Sequence, residues 1–243
     1  MAKVLGLITA RGGSKSIPRK NIKIFAGKPL IAWAIESLKN SGAVDRVIVT
    51  TDDQEIANVA KSFGAEIPFM RPAELALDTT PSLSVLQHAV KWLKENEKYE
   101  PDYVVLLEPT SPSKRPFHVR DCVNKIVETG ADSVISVAEV PGTLNPHWQI
   151  KLADGDRVEL FTGGTMKNVI RRRQDLPKTY FRNSSVYVFK PEVLFTDDPS
   201  LYGNDVRAYI TESKYAIDID TPEDWVIAEA MFKKILEDEV QTV

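Results

Sequence analysis

Short β-branched runs alternate with helical patterns through the first 137 residues of this chain. The strand-like runs are residues 4–9, 46–51, 103–108 and 133–137. The helical patterns are residues 30–41, 54–63, 82–97 and 116–129, with glycines at or just beyond three of their ends, at positions 42, 64 and 130. Strands joined by crossover helices form a parallel sheet, so the sequence predicts an α/β fold with a doubly wound, mostly parallel sheet.

This alternation ends near residue 140. Turn signals then surround two short strand-like runs, residues 149–152 and 157–161, which together predict an inserted β-rich arm at about 140–180. The chain returns to the sheet with a strand at 184–189. A closing helix is predicted over 221–237, with Thr221 as its N-cap, Pro222 at its first position and Asp224 in its first turn. We expect one domain over 1–243 that carries this arm.

Composition narrows the class of protein. The chain has 243 residues, 43% of them hydrophobic, which is enough to bury the core of one α/β domain. A net charge of -3 argues against a nucleic-acid binder, which would need a basic excess. The single cysteine, Cys122, excludes an intrachain disulfide and fits a reducing compartment as a small buried side chain. No apolar run is long enough to span a bilayer, so we expect a soluble cytoplasmic protein.

A loop rich in glycine and cations follows the first predicted strand. It reads Ala10-Arg-Gly-Gly-Ser-Lys-Ser-Ile-Pro-Arg-Lys-Asn21, and its cations are Arg11, Lys15, Arg19 and Lys20. Gly12 and Gly13 would let the backbone approach a ligand and adopt a positive φ, while the cations neutralise phosphate oxygens. The spacing matches neither the Walker A loop nor the dinucleotide fingerprint. The loop therefore predicts a polyphosphate site, with a solvated basic turn as the alternative.

Further motifs follow in order along the chain. They are Thr51-Asp-Asp53, Arg71-Pro-Ala-Glu-Leu75, Pro109-Thr-Ser-Pro112, Arg173-Gln174 and Asp218-Ile-Asp220. With the first loop, their order and spacing resemble the acylneuraminate cytidylyltransferases, also called CMP-sialic acid synthetases, nearly end to end. The resemblance implies the Rossmann-like fold of nucleotide-diphospho-sugar transferases. It also implies transfer of CMP from CTP to the anomeric hydroxyl of a nonulosonic acid, with release of pyrophosphate, for glycan biosynthesis.

The nucleotide side of the site is carried over from the family position by position. The implied nucleotide-binding residues are Arg11, Gly12, Gly13, Ser14, Lys15, Lys20, Asn21, Arg71, Thr80 and Ser82. A leaving pyrophosphate accumulates charge that cations must stabilise, and Lys20 is our preferred transition-state cation, aided by Arg11. An arginine with nearby backbone groups can distinguish cytosine from uracil, although most loop arginines such as Arg71 are solvated.

Two pairs of aspartates are candidates for chemistry. Asp218 and Asp220 would lie on one face of an extended segment while Ile217 and Ile219 face the core. Two carboxylates beside a polyphosphate are sufficient to hold Mg²⁺, so we expect both to be metal ligands and part of the catalytic set. The alternative is that Asp220 caps the following helix. Asp52 and Asp53 are second-line candidates, near the nucleotide or as a helix cap.

The sugar side contains the departures from the family pattern. The implied sugar-binding residues are Glu108, Thr110, Ser111, Arg173, Gln174 and Asn183. Relatives usually have glutamine where this chain has Glu108, and an acidic residue would repel a carboxylated sugar unless it is protonated or paired with Lys114 or Arg115. Relatives also commonly have glycine where this chain has Ser184.

Several questions stay open at this level. In relatives the arm crosses a two-fold axis, which implies a homodimer in which Arg173 reaches the neighbour's sugar carboxylate, with apolar contact from Phe161, Tyr180 and Trp148. The acceptor could be N-acetylneuraminate, legionaminate, pseudaminate or a Kdo-like acid, and the general base is unassigned. A UTP-dependent enzyme and a non-catalytic nucleotide sensor are the rival functions. The histidines, His88, His118 and His147, are scattered and predicted to be structural.

Overall fold

The computed structural model describes residues 2–241. Its strands are β1 Val4–Thr9, β2 Ile24–Phe25, β3 Lys28–Pro29, β4 Arg46–Thr50, β5 Tyr103–Leu107, β6 Ser133–Glu139, β7 Ile150–Leu152, β8 Val158–Leu160, β9 Tyr180–Phe189 and β10 Val206–Thr211. Its α-helices are α1 Leu30–Lys39, α2 Gln54–Ser62, α3 Ser82–Glu97, α4 Pro116–Thr129 and α5 Pro222–Gln241. All predicted helices and strands are present, with ends that shift by a few residues.

A central six-stranded sheet organises the fold, in the order β10-β6-β9-β5-β1-β4. Strand β1 pairs in parallel with both β4 and β5, and β10 pairs in parallel with β6. Only β9 runs antiparallel to its neighbours in this sheet. The mostly parallel, doubly wound prediction is therefore confirmed. Because the chain leaves β1 first toward β4 and later toward β5, strand order reverses between β1 and β5, where ligands bind in sheets of this kind.

Apolar side chains cover both faces of the sheet. One cluster joins α1, α2 and α4 to residues such as Ile8, Val105 and Val188, and Cys122 lies within it, fully buried as expected. The other face packs on α3 through Leu86 and Leu93. Helix α5 closes a third cluster around Phe25, Trp33 and Phe232, whose rings lie 4.6–5.5 Å apart. No helix among residues 2–241 is both long and apolar enough to cross a membrane.

Two parts of the sheet were not predicted. Strand β10 forms an edge of the sheet, and its alternating polar and apolar residues are largely exposed. Strand β9 begins four residues earlier than expected and has two halves: residues 180–182 pair with β6 only, whereas residues 187–189 pair with both β5 and β6. Ser184 lies between the halves with a φ of 52°. This left-handed conformation favours glycine, the residue that the family resemblance implies at this position.

The segment from 140 to 179 leaves the sheet between β6 and β9. It contains the antiparallel hairpin β7–β8, within one residue of the predicted strands. Its base is joined by a hydrogen bond from the Val140 N–H to the Thr179 carbonyl, 2.9 Å long. Large apolar side chains on this arm are exposed, among them Leu152 and Phe161, whereas Trp148 is half-buried and donates from Nε1 to the Ile170 carbonyl.

Candidate active site

A cleft of about 540 Å³ opens at the carboxyl ends of β1 and β5, where strand order reverses. Four segments form its walls: the loop after β1, the loop before α3, the loop after β5 and the segment before α5. The predicted site residues that line it are Arg11, Gly13, Ser14, Lys15, Lys20, Asn21, Arg71, Thr80, Ser82, Glu108, Thr110, Asp218 and Asp220. Segments that are more than two hundred residues apart in sequence, such as those of Ser16 and Asp220, therefore meet in one polar cavity.

The first loop is held in shape by its own backbone and by the loop after β4. The Gly12 N–H donates to Asp52 Oδ1 at 2.9 Å, and Asn21 Nδ2 donates to the Arg11 carbonyl at 3.0 Å. A Cβ on Gly12 would lie 2.9 Å from Cβ of Asp53, whereas one on Gly13 would meet no atom within 4 Å. Neither glycine has a positive φ, so that part of the prediction is wrong. Gly12 serves close packing instead.

The cations of this loop have different partners. Arg11 Nη1 lies 2.6 Å from Asp78 Oδ1, and Lys15 bonds the other oxygen of the same carboxylate. Lys20 Nζ donates to the Ile219 carbonyl at 2.8 Å and lies 3.6 Å from Asp220 Oδ1. Arg11, Lys15 and Lys20 all face the cleft.

Arg19, the fourth cation of the loop, points elsewhere. Its guanidinium bonds both carboxylate oxygens of Asp53, at 2.6 and 3.0 Å, and also pairs with Glu55. Asp53 Oδ1 in turn accepts the Ile56 N–H and caps α2. The side chain of Arg19 is therefore taken up by the start of α2, and the prediction that it helps to neutralise phosphates is wrong for this conformation. Asp53 is a helix cap, one of the two roles considered for it.

Arg71 is buried at the back of the cleft. Its Nη2 donates to the Thr50 carbonyl at 2.5 Å and its Nε to Thr50 Oγ1 at 3.2 Å. Burial lowers its pKa to about 10, and no carboxylate among residues 2–241 forms an ion pair with it. A buried guanidinium with unused donors favours a ligand with carbonyl or phosphate oxygens. Arg71 is thus not the solvated loop residue that base frequencies would suggest.

The loop after Arg71 leads to the start of α3. Thr80 donates from Oγ1 to the Glu74 carbonyl at 3.1 Å, which holds the loop closed on itself. Ser82 is the first residue of α3, as predicted, and is exposed at the cleft. The amino end of this helix therefore faces the same cavity as the cations, and its free N–H groups add to the positive potential there.

Asp218 and Asp220 alternate with buried Ile217 and Ile219, as expected for an extended segment. The carboxylate of Asp218 accepts the Ile219 N–H at 3.1 Å and the hydroxyl of Ser111 at 3.4 Å. It stays open to the cleft although protein atoms surround its other sides, and this partial desolvation, with the charge of Asp220, raises its pKa. Two carboxylates at a polar cleft have the oxygen ligands that Mg²⁺ prefers.

The side chains that cap α5 do not include the carboxylate of Asp220. Thr221 Oγ1 accepts the Asp224 N–H at 3.1 Å, and Asp224 Oδ2 accepts the N–H groups of Thr221 and Asp220 at 2.8 and 3.0 Å. Thr221 and Asp224 therefore cap the helix reciprocally, as Thr221 was predicted to do. The alternative that Asp220 serves as the cap is wrong. Its carboxylate lies beside Lys20 instead.

The buried pair on the acceptor side is Glu108 and Lys114. Lys114 is fully buried, and its ammonium donates to the Glu108 carbonyl. Burial raises the pKa of Glu108 and lowers the pKa of Lys114 to about 7, while the opposite charges partly offset both effects. Arg115, the other candidate partner for Glu108, pairs with Glu239 at 2.5 Å. Of the two cations considered, Lys114 is thus the one beside Glu108.

Other predicted sugar-side residues lie outside this cleft. Ser111 is buried against Asp218 and supports it. Asn183 is buried in the sheet, where its Oδ1 accepts from Ser136 Oγ at 2.6 Å and its Nδ2 donates to Thr211 Oγ1 at 2.7 Å. Because both ends of this amide are used within the sheet, the structure gives it no route to a sugar in the cleft.

The arm residues Arg173 and Gln174 are exposed and do not line this cleft. Arg173 lines a second cleft of about 250 Å³ with residues such as Lys178 and Ser213, and its side chain packs against Gly142. Arg172 beside it pairs with Asp175 at 2.7 Å. Their sugar-binding role stays a prediction that needs a second chain.

Two cleft residues were missed from the sequence. Ser16 Oγ donates to the Asp220 carbonyl at 2.5 Å and joins the phosphate loop to the aspartate segment. Asp78 bridges Arg11 and Lys15. Both lie within or beside the sequence motifs described above, yet only the fold shows which partners they meet. No group of three metal-ligating side chains comes together in the part of the chain that the structure describes. Mg²⁺ that is held by one or two carboxylates takes its other ligands from water and substrate phosphates.

The histidines have structural surroundings. His118 Nδ1 accepts the Arg115 N–H at 3.1 Å at the start of α4, and burial lowers its pKa to about 4. His88 packs edge-on against Phe69. His147 adjoins Asn145.

Comparison with known proteins identifies the family of this chain. The family model described as "Cytidylyltransferase" matches residues 5–237. The chain belongs to the cytidylyltransferase family. It is 33% identical to CMP-N,N'-diacetyllegionaminic acid synthase of Legionella pneumophila over 95% of this chain and 97% of that protein. It is 34% identical to N-acylneuraminate cytidylyltransferase A of Danio rerio, over 93% of this chain and 50% of that protein.

The fold has relatives among solved structures. A structure of CMP:2-keto-3-deoxy-manno-octonic acid synthetase complexed with CTP has a TM-score of 0.71 at 18% identity, over 96% of this chain and 99% of that one. At this identity the likeness shows the fold. The predicted resemblance to acylneuraminate cytidylyltransferases and the Rossmann-like fold are both confirmed.

Proposed function

We propose that this cytidylyltransferase joins CMP from CTP to the anomeric hydroxyl of a nonulosonic acid and releases pyrophosphate. The observation that carries the proposal is the cleft, which is lined by Arg11, Lys15, Lys20 and Arg71 together with Asp218 and Asp220. The cations suit a triphosphate, and the carboxylate pair suits its metal. The relatives that act on legionaminic and N-acylneuraminic acids support this class of acceptor.

The chain's own residues account for binding and charge stabilisation. Arg11, Lys15 and Lys20 would clamp the phosphates, and Lys20, placed between the first loop and Asp220, would stabilise the charge that develops on pyrophosphate. Arg71 would bind oxygens of the cytidine half, with Thr80 and Ser82 on the same wall. In-line displacement needs little covalent chemistry from the protein, so positioning is its main contribution.

Asp218 and Asp220 would hold Mg²⁺, which when bound would neutralise and orient the triphosphate. The hydroxyl of Ser111 donates to the carboxylate of Asp218, and the hydroxyl of Ser16 donates to the backbone carbonyl of Asp220, so this segment is joined to two other loops of the cleft.

The arm supports a homodimer within this proposal. Its exposed apolar side chains include Leu152 and Phe161, and Tyr180 at its base is also exposed. Burial of such a surface against a second copy is favourable. Arg173 and Gln174 would then contact the sugar in the partner's cleft, since they are outside the cleft of their own chain. We further propose one catalytic domain with this arm inserted, acting in the cytoplasm, where a single cysteine stays reduced.

Pyrophosphate release tests the proposal. CTP and Mg²⁺ are supplied with N-acetylneuraminate, legionaminate, pseudaminate or Kdo in turn, and UTP replaces CTP in parallel. We expect turnover with CTP and one acid. Asp218→Ala should abolish it, while Asp156→Ala, at the exposed tip of the β7–β8 hairpin, should not. CTP binding without turnover across the panel would contradict the catalytic proposal and favour a nucleotide sensor.

A further inference from the structure

Asp78 occupies the two cations that a triphosphate would need. Its Oδ1 lies 2.6 Å from Arg11 Nη1, and its Oδ2 bonds the ammonium of Lys15. The cations come from the loop after β1 and the carboxylate from the loop before α3, so the contact joins two of the segments that line the cleft. The hydrogen bond from Lys15, with the charges of both cations, holds the pKa of Asp78 below its usual range, which keeps the carboxylate ionised.

The other cations of the cleft and of the first loop have partners other than Asp78. Arg71 bonds Thr50, and Lys20 bonds the Ile219 carbonyl. Arg19 is taken up by Asp53 and Glu55. Asp78 therefore acts on only part of the positive surface, the part formed by Arg11 and Lys15.

A carboxylate that bridges two cations accepts the same hydrogen bonds from them that a phosphate group would accept. Arg11 and Lys15 cannot give these donors in full to Asp78 and to a phosphate at once, so a ligand that engages both must displace the carboxylate. In a proposal that rests on the proposed function, we propose that Asp78 competes with the terminal phosphates of CTP for Arg11 and Lys15. The carboxylate leaves these two cations when CTP binds and returns to them as pyrophosphate leaves.

The consequence is selective among ligands. Asp78 lowers the affinity for CTP and for pyrophosphate, both of which carry the phosphates that Arg11 and Lys15 would bind. It does not affect CMP, which lacks them. A carboxylate in this position therefore favours release of pyrophosphate without loosening the hold on the nucleoside half, and it limits inhibition by that product.

Calorimetric titration of the full chain with CTP, CMP and inorganic pyrophosphate tests this, in wild type and Asp78→Asn. We expect the variant to bind CTP and pyrophosphate roughly three- to tenfold more tightly, because the contacts removed are half-exposed ion pairs, and CMP within about twofold of wild type. In turnover assays KM for CTP and the inhibition constant of pyrophosphate should fall together. Asp78→Glu, which restores the charge, should return both ligands toward wild-type affinity.

The control is Glu74→Gln, which removes the same charge from the same loop at an exposed side chain outside the cleft lining. Its affinities should match wild type. Unchanged or weaker binding of CTP and pyrophosphate to Asp78→Asn would overturn the proposal, as would equal tightening for CMP, which would indicate a general charge effect. If wild type itself binds neither CTP nor pyrophosphate, the proposed function fails instead, so the two failures are distinct.

Discussion

The cleft and the arm differ in how their side chains are partnered within one chain. In the cleft, Lys20 and Asp218 have hydrogen-bond partners in another loop, so the geometry is fixed before a ligand binds. On the arm, Leu152 is 71% exposed and Phe161 66% exposed. Exposed apolar groups of this size gain free energy from a second surface. The comparison teaches that the cleft is organised by the fold of a single chain, whereas the arm is the part that a partner would stabilise.

Lysine substitutions give the largest expected difference between the two regions. Lys20→Ala removes an almost buried cation of the first loop that lies beside Asp220. We expect kcat/KM for CTP to fall by about a hundredfold or more, because a charge that stabilises the leaving group is lost. Steady-state pyrophosphate release measures this. Lys151→Ala on β7, an exposed lysine 3.5 Å from Glu159, is the control in the arm and should change the rate less than about twofold. Similar losses of kcat/KM in both variants would contradict the difference between the cleft and the arm.

An apolar substitution tests the arm. We expect Phe161→Ser to weaken a dimer by roughly tenfold to a hundredfold, because a large exposed ring would lose its burial against the partner. Sedimentation velocity over a range of protein concentrations measures the shift. Val226→Ser on α5, where Val226 is 70% exposed, removes apolar surface elsewhere and should leave the association constant unchanged. A wild type that is monomeric at every concentration would contradict the role given to the arm.

The repeating part of the fold was predictable from sequence, and its irregular edge was not. Buried strands such as β1 and β5 are short β-branched runs, and helix ends are marked by glycines, of which Gly130 has a φ of 66° and ends α4. Strand β10 is an edge strand whose alternating polar and apolar residues are largely exposed, so it lacks the continuous apolar run that marks the buried strands β1 and β5. Its absence from the prediction also hid Thr211, the partner that holds Asn183 in the sheet.

Site residues divide in the same way. The family resemblance carried by the sequence motifs implied that Lys20, Asp218 and Asp220 belong to one site, and all three line the cleft. It could not separate Arg19 from its neighbours, since only the fold brings Asp53 and Glu55 to that guanidinium. The bond between Asp78 and Arg11 joins positions that are 67 residues apart in sequence, and nothing local to either predicts it.

The two glycines of the first loop test how tightly the cleft is packed. Gly12→Ala would bring a Cβ within 2.9 Å of Asp53, which caps α2 and bonds Arg19, so the neighbour cannot move freely. We expect a loss of about 1–3 kcal/mol and a melting temperature lower by roughly 2–8 °C. Gly13→Ala is the matched control, because its Cβ meets no atom within 4 Å. Calorimetric melting of both unliganded variants decides, and equal melting temperatures would refute the packing role.

The smallest expected effect lies where β9 passes from the arm to the sheet. Ser184 has a φ of 52°, which costs a non-glycine residue conformational energy, and its hydroxyl makes only a 3.3 Å contact with Tyr187 Oη. Ser184→Gly should therefore raise stability, by about 0.5 kcal/mol once the greater freedom of glycine in the unfolded chain is subtracted. Ser185→Gly should do the opposite, since Ser185 lies outside the left-handed region and bonds the Tyr215 carbonyl, so glycine there loses about 1 kcal/mol. Urea unfolding of the pair separates the two expectations. Destabilisation by Ser184→Gly would show that the serine side chain, and not its backbone strain, determines stability at the junction between the arm and the sheet that forms the cleft.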